Sequence, residues 1–362
     1  MCIRDSYANT SGAGNIALGK NSLLANTTGS TNIALASSAL VANTTGADNI
    51  AIGASSMGTN TTGSKNTAIG VLALSNNNAD NNVAIGRYGA YSNTSGSYNL
   101  ALGNYAFFSN TTGSNNTSQG YMSLYSNTTA DNNTALGYKA LYSNTTASNN
   151  TAVGYESLYS NTTGTQNVSL GALSGRSLTT GSYNLAAGYR ALNAATTSSQ
   201  NTALGNDALR NTTTGSLNVA IGSAALNSNT EGASNLALGQ SALDQNTTGS
   251  NNTALGPDAI FQNRTGSGNI GIGRESLYSN YDGDNNTAIG YQSGYSNQSG
   301  SKNVFIGYQA GYSETGKNKL YIANGSSNSN RLIYGDFVTG NMTIGNGSGL
   351  SLIHISEPTR PY

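Results

Sequence analysis

The sequence predicts an all-β protein, a parallel β-solenoid (β-roll) of about 18 coils with a 17-residue repeat and two short strands per coil. Two observations predict it. An asparagine recurs every 17 residues, at Asn15, Asn32, Asn49 and Asn66 and then from Asn82, Asn99 and Asn116 to Asn286 and Asn303, with one step of 16 between Asn66 and Asn82. Four residues after each stands a glycine, Gly19, Gly53, Gly70 and onward to Gly307, replaced once by Ala36. A period held this strictly means one structural unit stacked on copies of itself.

With that glycine as position 0, the consensus is Asn(−4)-Thr/Val/Ile/Leu(−3)-Ala(−2)-Leu/Ile(−1)-Gly(0)-Tyr-x-Ala/Ser(+3)-Leu(+4)-Tyr(+5)-Ser-Asn(+7)-Thr-Thr-Gly(+10), as in Asn133-Thr134-Ala135-Leu136-Gly137. Positions −4 to 0 predict a short strand, with large residues at −3 and −1 on one face and small ones at −2 on the other. A second short strand is expected over +3 to +6. Helix fails on length: glycines at 0 and +10 leave too few residues, and Tyr-Ser-Asn-Thr-Thr forms helix poorly. The Asn-Thr-Thr-Gly stretch is turn chemistry.

Stacked at ~4.8 Å, the coils would make a rod on the order of 85 Å long. Its expected core is the residue at −1 (Leu136, Ile221, Leu238, Ile272, Ile289) together with leucine at +4 (Leu141, Leu158, Leu192, Leu226, Leu277). That core is thin: burial at ~1.5–3 kcal/mol per side chain barely offsets the entropy of ordering a coil. The small residues at −2 (Ala17, Ala34, Ala51, Ala68, Ala101) and +3 (Ala140, Ala191, Ala225, Ser276, Ala310) suggest close packing against sister chains, hence a homotrimer, or else a tight corner within one coil.

The asparagine at −4, represented by Asn66, Asn99, Asn133, Asn150, Asn201, Asn252 and Asn286, is expected to be structural: stacked amides bonding to one another and to turn backbone. A second asparagine, at +7 (Asn26, Asn43, Asn110, Asn127, Asn144, Asn161, Asn246), opens Asn-Thr-Thr, which matches a glycosylation sequon. The threonines at +8 and +9, such as Thr27-Thr28 and Thr111-Thr112, form a row that could face ice, although a glycine-bounded turn spoils a flat array. Tyrosines recur at +1 (Tyr121, Tyr138, Tyr155) and +5 (Tyr125, Tyr142, Tyr159). These are the candidate surface-contact residues, able to stack on sugars or on one another.

Charge is scarce, 15 basic residues against 15 acidic, and no basic patch supports nucleic-acid or anionic-membrane binding. No apolar run approaches the ~18 residues of a membrane helix. The only histidine, His354, and the only cysteine, Cys2, lie outside the repeats, so neither a catalytic triad nor a zinc site can be assembled within them. Scattered Asp48, Asp80, Asp131, Asp282 and Asp284 do not make a calcium ladder. No cofactor or metal is expected, and no enzyme.

The ends break the pattern. Residues 1–6 (MCIRDS) and 350–362 (LIHISEPTRPY at its core, with Pro358 and Pro361) read as translated adapter sequence and are set apart from residues 7–311, the repeat array, and residues 312–349, a divergent β cap.

The Asn-x-Ala-Ile/Leu-Gly strand followed by a small-residue turn resembles the head repeat of trimeric autotransporter adhesins, over roughly residues 9–311. The longer form, as in Asn286-Thr287-Ala288-Ile289-Gly290-Tyr291-Gln292, also resembles repeats of bacterial and phage tail-fibre-like proteins. Asn318-Lys319-Leu320-Tyr321-Ile322-Ala323 and Leu332-Ile333-Tyr334-Gly335-Asp336-Phe337 resemble the segment that closes such arrays. The resemblance implies three chains packed into one head. The expectation is thus a non-enzymatic extracellular adhesin or fibre segment meeting a host surface, matrix or glycan. The alternatives are a virion tail-fibre shaft and a monomeric solenoid that binds ice or glycans.

Overall fold

A computed structural model describes residues 8–345; the adapter-like strings at both ends lie outside the described residues. The chain divides into two compact units, residues 1–201 and 202–362. The first carries eleven three-residue strands, from β1 (Ile16–Leu18) to β11 (Leu185–Ala187). The second carries seven more, from β12 (Thr202–Leu204) to β18 (Val304–Ile306), followed by β19 (Lys319–Ala323), β20 (Arg331–Asp336) and β21 (Asn341–Ile344). Within each unit the short strands pair in parallel, each residue with its equivalent one repeat away, as in Thr134↔Thr151, Ala135↔Ala152 and Leu136↔Val153.

The parity of each strand decides what is inside. Asparagine at −4 turns inward, so the alternation of a strand carries −2 inward with it and leaves −3 and −1 outside. Ala34, Ala51, Ala68, Ala101, Ala135 and Ala254 are fully buried at −2, together with the small residues at +3 (Ala140, Ala191, Ala225, Ser276) and the large ones at +4 (Leu124, Leu141, Leu158, Leu192, Leu226, Leu277). This corrects the expected core on two points. The residues at −1 are outside it: Leu136 is 39% exposed, Leu238 45% and Ile289 40%, and Ile221 and Ile272 are half-exposed. The small residues, in turn, face the coil's own interior rather than a sister chain.

A tight interior explains the small residues. A Cβ added to Gly271, at −2, would lie 2.6 Å from Cγ1 of Ile260, the one isoleucine among the leucines at +4. The converse exchange occurs where Phe305 takes position −2: Gly294 and Gly311 then hold +4, and a Cβ on Gly294 would meet the phenylalanine ring at 2.5 Å.

The segment expected as a second strand hydrogen-bonds from coil to coil, as a strand would: Leu141 N–H donates to Ser157 O at 3.0 Å and Ser143 N–H to Tyr159 O at 3.0 Å. Its backbone is not extended. Residues at +2 and +4 are left-handed, with φ of 52° at Lys139 and 51° at Leu141. Lys139 N–H consequently points the other way, to Tyr121 O of the preceding coil. Glycine at 0 is required on two counts: φ is +135° at Gly53, and a Cβ there would meet the Gly70 carbonyl carbon at 2.6 Å.

The 16-residue coil loses its residue in the turn. Elsewhere the +8 and +9 amides donate to the carbonyl of the next +8 residue, as Thr44 and Thr45 do to Thr61 O. Opposite the short coil, Thr61 and Thr62 N–H donate instead to Asn78 Oδ1, at 3.0 and 2.9 Å. A side-chain carbonyl replaces a displaced main-chain one.

The second unit closes with β19 pairing parallel to β18 and antiparallel to β20, which pairs antiparallel with β21. Lys319 Nζ lies 2.7 Å from Asp336 Oδ2 across β19 and β20. Tyr321 packs against Phe305 and donates its hydroxyl to Glu314, and Arg331 lies 4.6 Å over its ring. Burial and the adjacent Glu314 carboxylate hold the Tyr321 phenol well above its ordinary pKa.

Candidate functional site

Three repeated surfaces compete for a role: the asparagine columns, the tyrosine columns and the outer face of the short strands.

The asparagines at −4 form the expected ladder. In the first unit, Asn133 Oδ1 accepts the Asn150 main-chain N–H at 2.9 Å, and Asn150 Oδ1 accepts that of Asn167 at 2.9 Å. Asn150 Nδ2 donates to Gly164 O, which closes its own coil, at 2.9 Å. Asn66 and Asn99 make the same bonds in this unit, as do Asn252 and Asn286 in the second, and Asn201 N–H donates to Asn184 Oδ1 at 3.0 Å. All seven are buried, so the column is internal cohesion and offers nothing to a ligand.

The second asparagine column proves equally internal. Asn144 Nδ2 donates to Asn127 Oδ1 at 3.0 Å and Asn161 Nδ2 to Asn144 Oδ1 at 2.9 Å. Asn161 Nδ2 also reaches Gly164 O, so that one carbonyl takes amides from both columns. Asn26, Asn43, Asn110, Asn127, Asn144, Asn161 and Asn246 are all fully buried, and a folded coil has no space for a glycan on them. Where Leu178 interrupts the column, Asn161 Oδ1 is left without a partner. The +8 threonines are committed too: Thr111 Oγ1 donates to Thr128 O at 3.0 Å and Thr128 Oγ1 to Thr145 O at 3.1 Å.

The tyrosines do stack, on one another. In the first unit Tyr125 and Tyr142 lie 5.2 Å apart at 10°, and Tyr142 and Tyr159 lie 5.1 Å apart at 4°. Tyr121, Tyr138 and Tyr155 form a parallel column at 5.6 and 5.2 Å, with Lys139 bridging to Tyr138 and Tyr142 through its ammonium. The structure adds members that a tyrosine-only pattern missed. Phe108 stands inside the +5 column between Tyr91 and Tyr125, and Tyr88 and Tyr105 enter from +2. The second unit repeats the device with Phe261, Tyr278, Tyr295 and Tyr312. Rings that cover each other's faces show solvent their edges and hydroxyls, which suits hydrogen bonding better than stacking on a sugar.

The remaining surface is the strand face at −3 and −1. In the first unit it runs from Ile16 and Leu18 through Val83, Ile85, Leu100, Leu102, Val168 and Leu170 to Leu185 and Ala187, half-exposed or exposed throughout. Neither row contains a charged residue, and Gln119 is its one amide. At ~4.8 Å per coil this stripe is ~50 Å long and ~10 Å wide. That area is at the upper end of the ~300–600 Å² that the largest patch of a monomer ordinarily covers, with Thr67, Thr117, Thr134, Thr151 and Gln119 among its residues.

Among the described residues no three His, Cys, Asp or Glu side chains converge to hold a metal ion. Comparison with known proteins gives no family: no family model matches the chain, and no curated protein does.

Proposed function

We propose that the protein is a non-enzymatic structural and adhesive segment of an extracellular assembly, built from three copies packed through their −3/−1 faces. The uncharged, solvent-facing stripe of the first unit carries this reading. Its isoleucine, leucine and valine side chains, in a double row shared with threonine and interrupted by Gln119, gain ~25 cal/mol per Å² of apolar area when covered. A stripe of this size, with its flanks, approaches the ~800 Å² per partner of a stable interface. Three identical stripes turned toward one axis close a shared core that no 17-residue coil can build alone. The partner is therefore another copy of this chain, with the tyrosine edges left outward for a surface, matrix or glycan. A shaft of a tail fibre would use the same packing.

Sedimentation equilibrium of the full chain tests it. Three times the chain mass is expected, with Leu136→Lys falling toward the monomer while its circular dichroism is kept. A wild-type chain that stays monomeric and folded at all concentrations would sink the proposal. One observation favours a second reading in that event: Thr67, Thr117, Thr134 and Thr151 stand on the flat −3 row. Thermal hysteresis from the monomer, abolished by Thr134→Lys, would then identify an ice-binding face.

A further inference from the structure

We propose that the tyrosine columns are sites of oxidative cross-linking, at which neighbouring coils of one chain become joined by dityrosine bonds. The rings are in register, one coil apart, and nearly parallel: 10° and 4° for Tyr125–Tyr142 and Tyr142–Tyr159, 14° and 6° for Tyr121–Tyr138 and Tyr138–Tyr155. In the second unit Tyr278–Tyr295 and Tyr295–Tyr312 stand 5.1 and 5.0 Å apart at 5° and 6°. Each ortho carbon therefore lies opposite its equivalent on the next ring. The +1 column is open to solvent, with Tyr121 and Tyr155 43% and 51% exposed, and the +5 rings, Tyr142 among them, are half-buried.

The chemistry balances with peroxide as oxidant, delivered through a one-electron oxidant of the haem-peroxidase class. Each of two phenols loses one electron and its hydroxyl proton. The two phenoxyl radicals couple through one carbon–carbon bond between ortho positions, and each displaced ring proton returns to oxygen. Two electrons and two protons leave the pair and reduce one hydrogen peroxide to two waters. Phenylalanine cannot take part, so Phe108 separates Tyr91 from the reactive stretch that runs from Tyr125, and Phe261 precedes the one that runs from Tyr278.

The chain carries its own controls. Tyr98 and Tyr183 are 64% and 58% exposed but have Asn81, Asn115, Gln166 and Gln200 at the equivalent positions of adjacent coils. They can meet another phenol only across chains. The test is peroxidase and hydrogen peroxide on the dilute full chain, read by dityrosine fluorescence and by mass spectrometry of cross-linked peptides. Links 17 residues apart, such as Tyr142–Tyr159, are expected to exceed those of the same chain in denaturant by about tenfold or more, because the fold holds the two phenols in register. Tyr142→Phe keeps the ring stack. It should abolish +5-column links between residues 125 and 159 and leave Tyr121–Tyr138 and Tyr138–Tyr155 links intact. Equal yields folded and denatured, or links confined to Tyr98 and Tyr183 between chains, would overturn the proposal.

Discussion

Asn150 shows what a single amide does inside a coil. It supplies the acceptor for the Asn167 main-chain N–H and a donor to the Gly164 carbonyl. Asn150→Ala strands the Asn167 N–H in a closed interior and leaves Gly164 O with the Asn161 amide alone, and an unfolding titration should register a loss of ~1–3 kcal/mol. No measurable change would mean that water enters the column. Ala36 is the opposite case, an l-residue at φ +110° where every other coil places glycine. Ala36→Gly should raise stability by ~1 kcal/mol, because relief of strain outweighs the entropy that glycine adds to the unfolded chain. A decrease would show that the methyl packs better than its dihedral suggests.

At the scale of elements, much was legible in the sequence and one inference went astray. Period, strand position and the amide ladder all follow from Asn(−4) and Gly(0). The inward face did not, although the information was present. Putting Asn133 and Leu136 both inside is impossible for an extended strand, since −4 and −1 have opposite parity. An asparagine assigned to the interior should have forced Ala135 inward and Leu136 out. The left-handed Lys139 and Leu141 had no such signal, because neither residue type favours positive φ. What holds them is the pair of opposed inter-coil hydrogen bonds.

The terminal hairpin carries its own pH dependence. Lys319 holds the Asp336 carboxyl below its ordinary value of 3.8, while Asp336 raises the Lys319 ammonium above 10.5. The acid's contribution is present above about pH 4 and lost as pH falls through the lowered value; the lysine's is present below about pH 10.5 and lost above it. The protection of amides 319–336 against hydrogen exchange, taken relative to the intrinsic exchange rate at each pH, should therefore be greatest between those limits. Asp336→Asn should flatten the acid limb and retain the alkaline end only weakly. An unchanged acid limb would place the titrating group elsewhere.

For the whole molecule, the balance between interior and exterior is the informative quantity. A typical coil buries one large apolar side chain at +4, two amides and several methyls, and leaves outside an aliphatic side chain at −1 and an aliphatic or threonine side chain at −3. Such a chain stabilises itself along its stacking direction by hydrogen bonds and has apolar surface to spare sideways. Association should therefore raise thermal stability as well as mass. The melting temperature of the wild-type chain should rise with concentration, and that of Leu136→Lys should not. A concentration-independent melt in both would leave the stripe without a partner copy.

The in-register pairing has a further consequence, for how such a gene can change. Because residue n faces residue n + 17, removing residues 134–150 would join two coils whose contacts are already of the same kind, whereas removing one residue required Asn78 to fill a vacancy in the turn. Copy number is thus nearly free to drift by whole coils under recombination between near-identical stretches, while partial-coil changes are selected against. Related genes should differ in length by multiples of 17 codons, and length itself becomes a trait that selection can tune without inventing a new contact.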